Sequence, residues 1–432
     1  MSSASDCETA PPPSFAEALR FWLKLGFISF GGPAGQIAIM HHELVERRRW
    51  IDESRFLHAL NFCMLLPGPE AQQLATYCGW LLHRTAGGVV AGALFVLPSA
   101  AILWALSWAY MAFGTLPWMA GLLYGLKPAV LAIVAAAVIR IGQKVLKNEV
   151  MIALAALAFV ALFVFKVPFP LIVLGAGVLG WIGGRVRPEK FVILKPQGAG
   201  ADEAAGAAGR PSLWRAARVI AICGALWWAP IIAAGAWLGW GSTLFQQGLF
   251  FSKAAMVTFG GAYAVLPYVA QQAVEHYRWL EPVQMLDGIG LAETTPGPLI
   301  MVLQFVGFVG AWQNSGGMSP LLAATLGAAI TTWATFVPCF LWILVGAPYV
   351  EILRDNRRLT AALSAITAAI VGVILNLAVW FGWHLLWPAS GRFDLFAAVL
   401  AVAAFAGMVR WKWDVIPVVG CSAVAGLLWQ WA

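Results

Sequence analysis

Four short segments stand out as places where this chain could do chemistry. Pro67-Gly68-Pro69 and Pro296-Gly297-Pro298 each interrupt a largely apolar run, as do Gly31-Gly32-Pro33 and the pair Gly260-Gly261. Proline lacks an N–H and clashes with the preceding helical turn, and glycine costs about 1 kcal/mol in a helix interior. These segments therefore predict openings in the backbone. Proline also favours the first helical position, so Pro33 and Pro69 predict half-helices that start at the breaks. A helix start exposes unpaired N–H groups and carries about half a positive charge. Two such starts facing one cavity make an anion site with few cationic side chains. Gln36, Gln72 and Gln73 add amide donors in the first turns. Gly260-Gly261 and Pro296-Gly297-Pro298 supply two further starts, and four convergent helix ends suit a tetrahedral dianion. Glycine and proline also let membrane helices pack closely, but that alone does not explain two matched pairs at one spacing.

Charged residues flank these breaks. Lys24 and Lys253 each lie six residues before a Phe-Gly-Gly. A charge at membrane depth is a functional candidate by default, so both read as buried ligands of the anion or partners of a carboxylate. Glu70 directly follows the first Pro-Gly-Pro, and Glu293 precedes the second by three residues. A carboxyl group in a poorly hydrated site can load a proton, so both are expected to couple proton movement. Glu70 also suits a helix start simply as a first-turn acid. Lys127 is a further cation in an apolar stretch, beside Pro128. His41-His42-Glu43 has metal-binding residue types, but adjacent histidines point different ways on a helix, and no metal is expected. The six cysteines form no Cys-x-x-Cys pair and read as small buried hydrophobes. No GxSxG, HExxH or nucleotide-binding loop is present, so neither an enzyme nor a cofactor is expected.

The elements that must position these residues are membrane helices. Hydrophobic residues make up 61% of the 432 and charged residues 11%, where a soluble chain carries about 25% charged. The stretches 85–126, 219–252, 294–350 and 359–391 contain no Asp, Glu, Lys or Arg, and about 20 apolar residues suffice to span a bilayer. Net charge is +7, gathered in short connectors at 47–49, 140–147, 185–218 and 354–358. That is the pattern of cytoplasmic loops, so the lipid bilayer is the expected surrounding and nucleic acid is not an expected partner. Residues 1–14 have neither the basic start nor the apolar run of a signal peptide and read as a disordered tail.

The chain also repeats itself. Phe30-Gly31-Gly32 recurs as Phe259-Gly260-Gly261, and Pro67-Gly68-Pro69 as Pro296-Gly297-Pro298, both at an offset of 229. Across 24–69 there are 12 identities in 46 ungapped positions, Glu46/Glu275, Arg49/Arg278 and Trp50/Trp279 among them. Further on, 128–138 matches 361–371 at an offset of 233. The expected organisation is a first membrane domain at 15–184, a basic cytoplasmic linker at 185–213, an extra inverting helix at 214–240, and a second membrane domain at 241–432. Placing the basic connectors inside requires the segment broken at Pro67-Gly68-Pro69 to dip into the membrane and return. The two halves then lie upside down relative to each other, an arrangement that recurs in transporters. A discontinuous helix that crosses is the alternative, and it would put some basic loops outside.

At this point the residues resemble a known family. Phe30-Gly31-Gly32-Pro33 with Gln36, then Leu66-Pro67-Gly68-Pro69-Glu70-Ala71, resembles the first domain of the chromate ion transporter family. Phe259-Gly260-Gly261 followed by Glu293-Thr294-Thr295-Pro296-Gly297-Pro298 resembles its second domain. The resemblance covers about residues 15–430 and is to the long, two-domain form. It implies an all-α polytopic protein of the bacterial plasma membrane that exports chromate, confers chromate resistance and draws on the proton gradient or membrane potential. Sulfate, isosteric and equally charged, should compete. The residues alone reach only as far as an oxyanion, so a sulfate or other oxyanion carrier on the same scaffold is the alternative, with a passive channel behind it. A homodimer is compatible with all of these. The second half departs from the first, with Ala262 for Pro33, Val265 for Gln36 and Leu299 for Glu70. The first half is therefore expected to carry most of the binding chemistry, with Lys253 and Glu293 as the second half's side-chain contribution.

Overall fold

The chain breaks become the tips of helical hairpins. α1 (Phe15–Ile28) is capped by Ser14, whose hydroxyl accepts from the Glu17 N–H. Its 14 residues rise about 21 Å, well short of a hydrocarbon layer of about 30 Å. α2 (Gly32–His41) then runs back beside it and ends in a π-helical turn (His42–Arg47). Contacts at the mouth of the hairpin fix this return. The Arg48 guanidinium lies 5.0 Å from the Phe21 ring and 3.8 Å from Glu17, and Trp50 meets Phe21 edge-on. α3 (Glu53–Cys63) and the first part of α4 (Glu70–Phe113) form a second hairpin around Pro67-Gly68-Pro69. α4 is not a single rod. His83 and Arg84 leave helical geometry, Arg84 with φ 52°, and the chain reverses there so that Gly79 backs on Gly87. His83 stands 2.9 Å from the Pro13 carbonyl, which puts this second mouth beside the first.

The computed structural model describes residues 13–30, 32–192, 213–347, 357–388 and 391–431. The expected disordered tail falls almost wholly outside the described residues, as do Gly31 and the centre of the basic linker. After α4 come α5 (Pro117–Val145), α6 (Glu149–Phe163), α7 (Phe169–Val186), the short α8 (Pro188–Phe191) and α9 (Leu213–Leu238). The first set of elements then repeats. α10 (Thr243–Val257), α11 (Ala262–Gln271) with its own π turn (Gln272–His276), and α12 (Pro282–Thr294) follow. A 3-10 turn (Leu299–Met301) leads into α13 (Val302–Gln313) and then α14 (Pro320–Gly346). α15 (Arg357–Leu386), α16 (Leu395–Arg410) and α17 (Val415–Trp431) complete the chain. The repeat extends to details. Arg49 and Arg278 both have positive φ, 52° and 54°, and Trp279 meets Phe250 at 5.8 Å as Trp50 meets Phe21 at 5.4 Å.

The halves are inverted. Trp104 in α4 donates to Thr325 in α14 at 3.1 Å, while Gly92 lies beside Phe340, so these equivalent helices run antiparallel. One pair of hairpins opens where α4 begins its crossing, and the other opens where α14 begins. Thr243 bonded to the Asn314 carbonyl, and Gln313 bonded to Gln284, mark the second pair of mouths. The halves also interlock. α5 packs on α16 and α17, and its counterpart α15 packs on α6 and α7. Small residues allow these close approaches: Gly125 lies against Ser422 and Gly426, and Gly180 against Ala361.

Among the described residues six helices are long and apolar enough to cross a membrane: α4, α5, α7, α9, α14 and most of α15. At both kinds of break the chain turns back on itself, so each forms a hairpin and not one continuous helix. One boundary needs correction. The basic residues Arg140 and Lys144 were read as part of a connector, but α5 continues to Val145 and holds both on helix. Inverted insertion predicts that reporters fused after Trp50 and after Arg278 read opposite sides of the membrane. The same side for both would refute it.

Candidate functional site

The hairpin tips of the two halves meet each other. The Gly68 N–H donates to the Thr258 carbonyl at 2.7 Å, and the Gly297 N–H donates to the Ser29 carbonyl at 2.7 Å. Ser29 and Thr258 are equivalent positions, as are Gly68 and Gly297, so one bond is made twice across a pseudo-two-fold axis. Both glycines have positive φ, 126° and 94°. A Cβ at Gly68 would stand 2.7 Å from Cys339 Sγ, and one at Gly297 would stand 2.6 Å from the Ser99 Cβ. These two N–H groups thus lock the halves together and are not free for an anion.

The N–H groups one turn further in are a different matter. All four arms are capped by side chains at their mouths: Ser14 on α1, Asp52 on α3, Ser242 on α10, and on α12 the Gln284 carbonyl accepting the Glu281 N–H. At the tips, the starts of α4, α11 and the 3-10 turn before α13 have no side-chain cap. Gly32 (φ 68°) and Gly261 (φ 92°) stand at the starts of α2 and α11, with no atom within 4 Å of where a Cβ would be. Open N–H groups at helix starts are what an anion requires.

Amide side chains surround the tips. The Gln36 Nε2 donates to the Gly297 carbonyl at 2.6 Å and more distantly to Ser29, tying α2 to the other half's Pro-Gly-Pro. The Gln73 Nε2 donates to the Pro67 carbonyl at 2.8 Å and the Gln72 Nε2 to Thr76 at 3.1 Å. All three glutamines are fully buried, and their carbonyl oxygens, like the Ser99 hydroxyl beside Gly297, have no hydrogen-bond partner. Such groups are costly to leave unpaired.

Two carboxylates adjoin the tips, and two cations of α5, both exposed, act on them by charge. Glu293 accepts from the Tyr263 hydroxyl at 2.6 Å, and Arg140 stands beside this pair, acting on both. Glu70 lies within reach of the charge of Lys144, one helical turn beyond Arg140 on α5. Gly32, Glu293, Thr295, Gly297 and Leu299 line a narrow cleft of about 10 Å³, the room of about one water. Val415 and Ile416, at the start of α17, close its remaining side.

The sequence-derived residues divide accordingly. Gly32, Pro33, Gln36, Pro67, Gly68, Pro69, Glu70, Gln72, Gln73, Gly260, Gly261, Glu293, Pro296, Gly297 and Pro298 all lie at or within the first turns of the tips. Gly31 falls outside the described residues. Lys24 and Lys253 were expected to be buried, and both are exposed. Both lie on the outer faces of α1 and α10, where a long lysine stem can carry its charge away from apolar surface. Arg140, Lys144 and Tyr263 were missed. The available signal was their spacing: Arg140 and Lys144 stand four apart, on one face of a helix.

A family model described as chromate transporter matches residues 16–181 and 245–427. The chromate transport protein of Cupriavidus metallidurans is 30% identical over 428 residues, 99% of this chain and 96% of the relative. The chromate transport protein of Pseudomonas aeruginosa is 33% identical over 384 residues, covering 86% and 83%. An uncharacterized transporter of Methanocaldococcus jannaschii is 24% identical over 420 residues, covering 96% and 94%. No solved structure matches.

Gly68→Ala and Gly297→Ala should each be severe, because positive φ costs a side-chain residue about 1–2 kcal/mol before any clash is counted. Both variants are expected to melt several degrees lower in detergent. Gly175→Ala, at a helical glycine with open space around it, should melt like the unaltered protein.

Proposed function

The chain belongs to the chromate transporter family, and on that premise we propose that it is a secondary transporter exporting chromate from the bacterial cytoplasm, thereby conferring chromate resistance. In this reading 15–184 and 241–432 are its two membrane domains, 185–213 is a cytoplasmic linker and 214–240 is the inverting span.

The capping pattern carries the proposal. The hairpin mouths satisfy their helix starts with side chains, whereas the tips leave theirs open beside Arg140 and Lys144. A tetrahedral dianion fits this donor set, because several helix starts can each donate to a different oxygen. Gln36, Gln72 and Gln73 hold the surrounding backbone and offer further N–H groups. The start of α17, which walls the cleft, lies on the side of the basic connectors, and this supports loading from the cytoplasm. A cleft of about 10 Å³ is too narrow for the anion, so the tips must part to admit it. Hairpins entering from opposite faces allow that parting at either face in turn.

Arg140 acts by charge on Glu293, and Lys144 on Glu70, from the exposed side of α5. Protonating either carboxylate releases a cation for the dianion, which links proton and anion binding. An anion that leaves with fewer protons than its charge carries negative charge outward, and an inside-negative potential drives that movement.

Everted vesicles containing the protein should accumulate radiolabelled chromate, less so in excess sulfate, and should cease to do so when the gradients are collapsed. Mere equilibration would refute coupling. Arg140→Gln and Lys144→Gln should each weaken apparent affinity about tenfold or more, since a hydrogen bond to a charged group is worth about 1.5–3 kcal/mol. Glu70→Gln and Glu293→Gln should flatten the pH dependence of uptake, and an unchanged profile in both would remove them from the coupling step.

A further inference from the structure

A second set of ionisable groups lies apart from the tip cleft. Asp287 on α12 is 3% exposed. Its Oδ2 accepts from the Tyr110 hydroxyl of α4 at 3.0 Å, and its Oδ1 lies 3.5 Å from the Lys127 Nζ of α5. The Oδ1 has no well-formed hydrogen bond, and at 3.5 Å the ammonium pairs with it chiefly by charge. We propose that Asp287, Lys127 and Tyr110 form a proton-binding site that controls how the α12 arm is held to α5.

The argument rests on placement. Ionisable side chains at membrane depth are rare and mark ion or proton pathways. As a stabilising device the pair would be a poor choice, since replacing a buried ion pair by apolar residues is often neutral or favourable. The surroundings isolate it. α13 contributes the Phe305 ring, stacked edge-on against Tyr110 at 5.2 Å, and neither α13 nor α17 contains a charged residue. α15 carries its ionisable residues, Arg357, Arg358 and His384, only near its ends, and on α12's own strand of chain Glu281 caps the mouth and Glu293 faces Tyr263. From α4 and α5, Tyr110 and Lys127 are the groups that face Asp287.

The site is also one-sided. The position of Asp287 in the first half is His58, and that of Lys127 in the second half is Thr360. Position gives the site its leverage. Asp287 lies six residues, about 9 Å of helix, from Glu293 on the same arm. α5 bears Lys127 at one end of this coupling and Arg140 and Lys144 at the other. With Asp287 ionised, the arm is drawn to α5 by charge. When Asp287 takes up a proton on Oδ1, that attraction ends, and the second Pro-Gly-Pro is free to move relative to the α5 cations.

The proposal rests on the transport reading, and the experiment separates the two. The purified protein is reconstituted in liposomes with a trapped pH indicator. Chromate exchange tests the transport reading, and protons moved per chromate in net flux tests the new site. The double variant Lys127→Gln/Asp287→Asn removes both charges and leaves no stranded ion. It should exchange chromate within about threefold of the unaltered protein, because its effect falls on the coupled step, while the proton-to-chromate ratio falls by one. Asp287→Asn alone strands Lys127 and should lose net flux. Infrared difference spectra between neutral and acidic pH supply a readout without substrate, in which the carboxylic acid band should shrink in the double variant. An unchanged proton ratio with an unchanged band would overturn the proposal, as would chromate flux in the unaltered protein with no proton movement. Absent exchange with a band lost in the double variant would sink the transport reading and leave the proton site standing.

Discussion

A backbone N–H left bare in hydrocarbon costs several kcal/mol, and a chain that breaks its helices at membrane depth creates such groups by construction. Here the solution is reciprocal. Gly68 donates to Thr258 and Gly297 donates to Ser29, so each half satisfies the break of the other. Much else follows from these two bonds. They set the depth at which the tips meet and the register of one half against the other. They require glycine at both positions, since the backbone is left-handed there and a side chain would strike Cys339 or Ser99. They also leave the starts of α4, α11 and the 3-10 turn before α13 without a side-chain cap.

The repeated framework was legible in the sequence because backbone-breaking residues announce themselves by type. A Pro-Gly-Pro or a Gly-Gly in an apolar run has few structural meanings, and an identical offset of 229 ties the copies together. Side-chain direction is harder to read. Lys24 and Lys253 lie beside the breaks in sequence, yet one helical turn decides between core and surface, and both fall on the exposed side. Arg140 and Lys144, also exposed, were misassigned in another way. They sit in a basic cluster that composition assigns to a loop, and only the structure shows that α5 continues through them to Val145. Asp287 and Lys127 are 160 residues apart, and their meeting depends on how α12 packs against α5, which no local pattern encodes.

The symmetry of the backbone is not shared by the chemistry. At the offset that relates α5 to α15, Arg140 and Lys144 correspond to Val373 and Leu377. Gln36 faces the axis from one half, where the other half has Val265. A scaffold with two-fold symmetry offers the same closure toward either face of the membrane. Side chains belonging to one half give those two closures different energies, and a cycle with a preferred direction needs that difference.

The interlocking of α5 with α16 and α17, and of α15 with α6 and α7, bears on how the molecule is made. Synthesis proceeds from the N-terminus, so the first two hairpins exist before their partners do. Until Thr258 has left the ribosome, the Gly68 N–H has no carbonyl to receive it, and Ser29 waits longer still, for Gly297. The nascent first half must therefore shelter its tips with water or with the insertion machinery. The helices that seal α5, α16 and α17, are synthesised later still. Assembly in this protein is a late event that closes over the whole chain at once, and a truncated product would expose both unfinished tips to lipid.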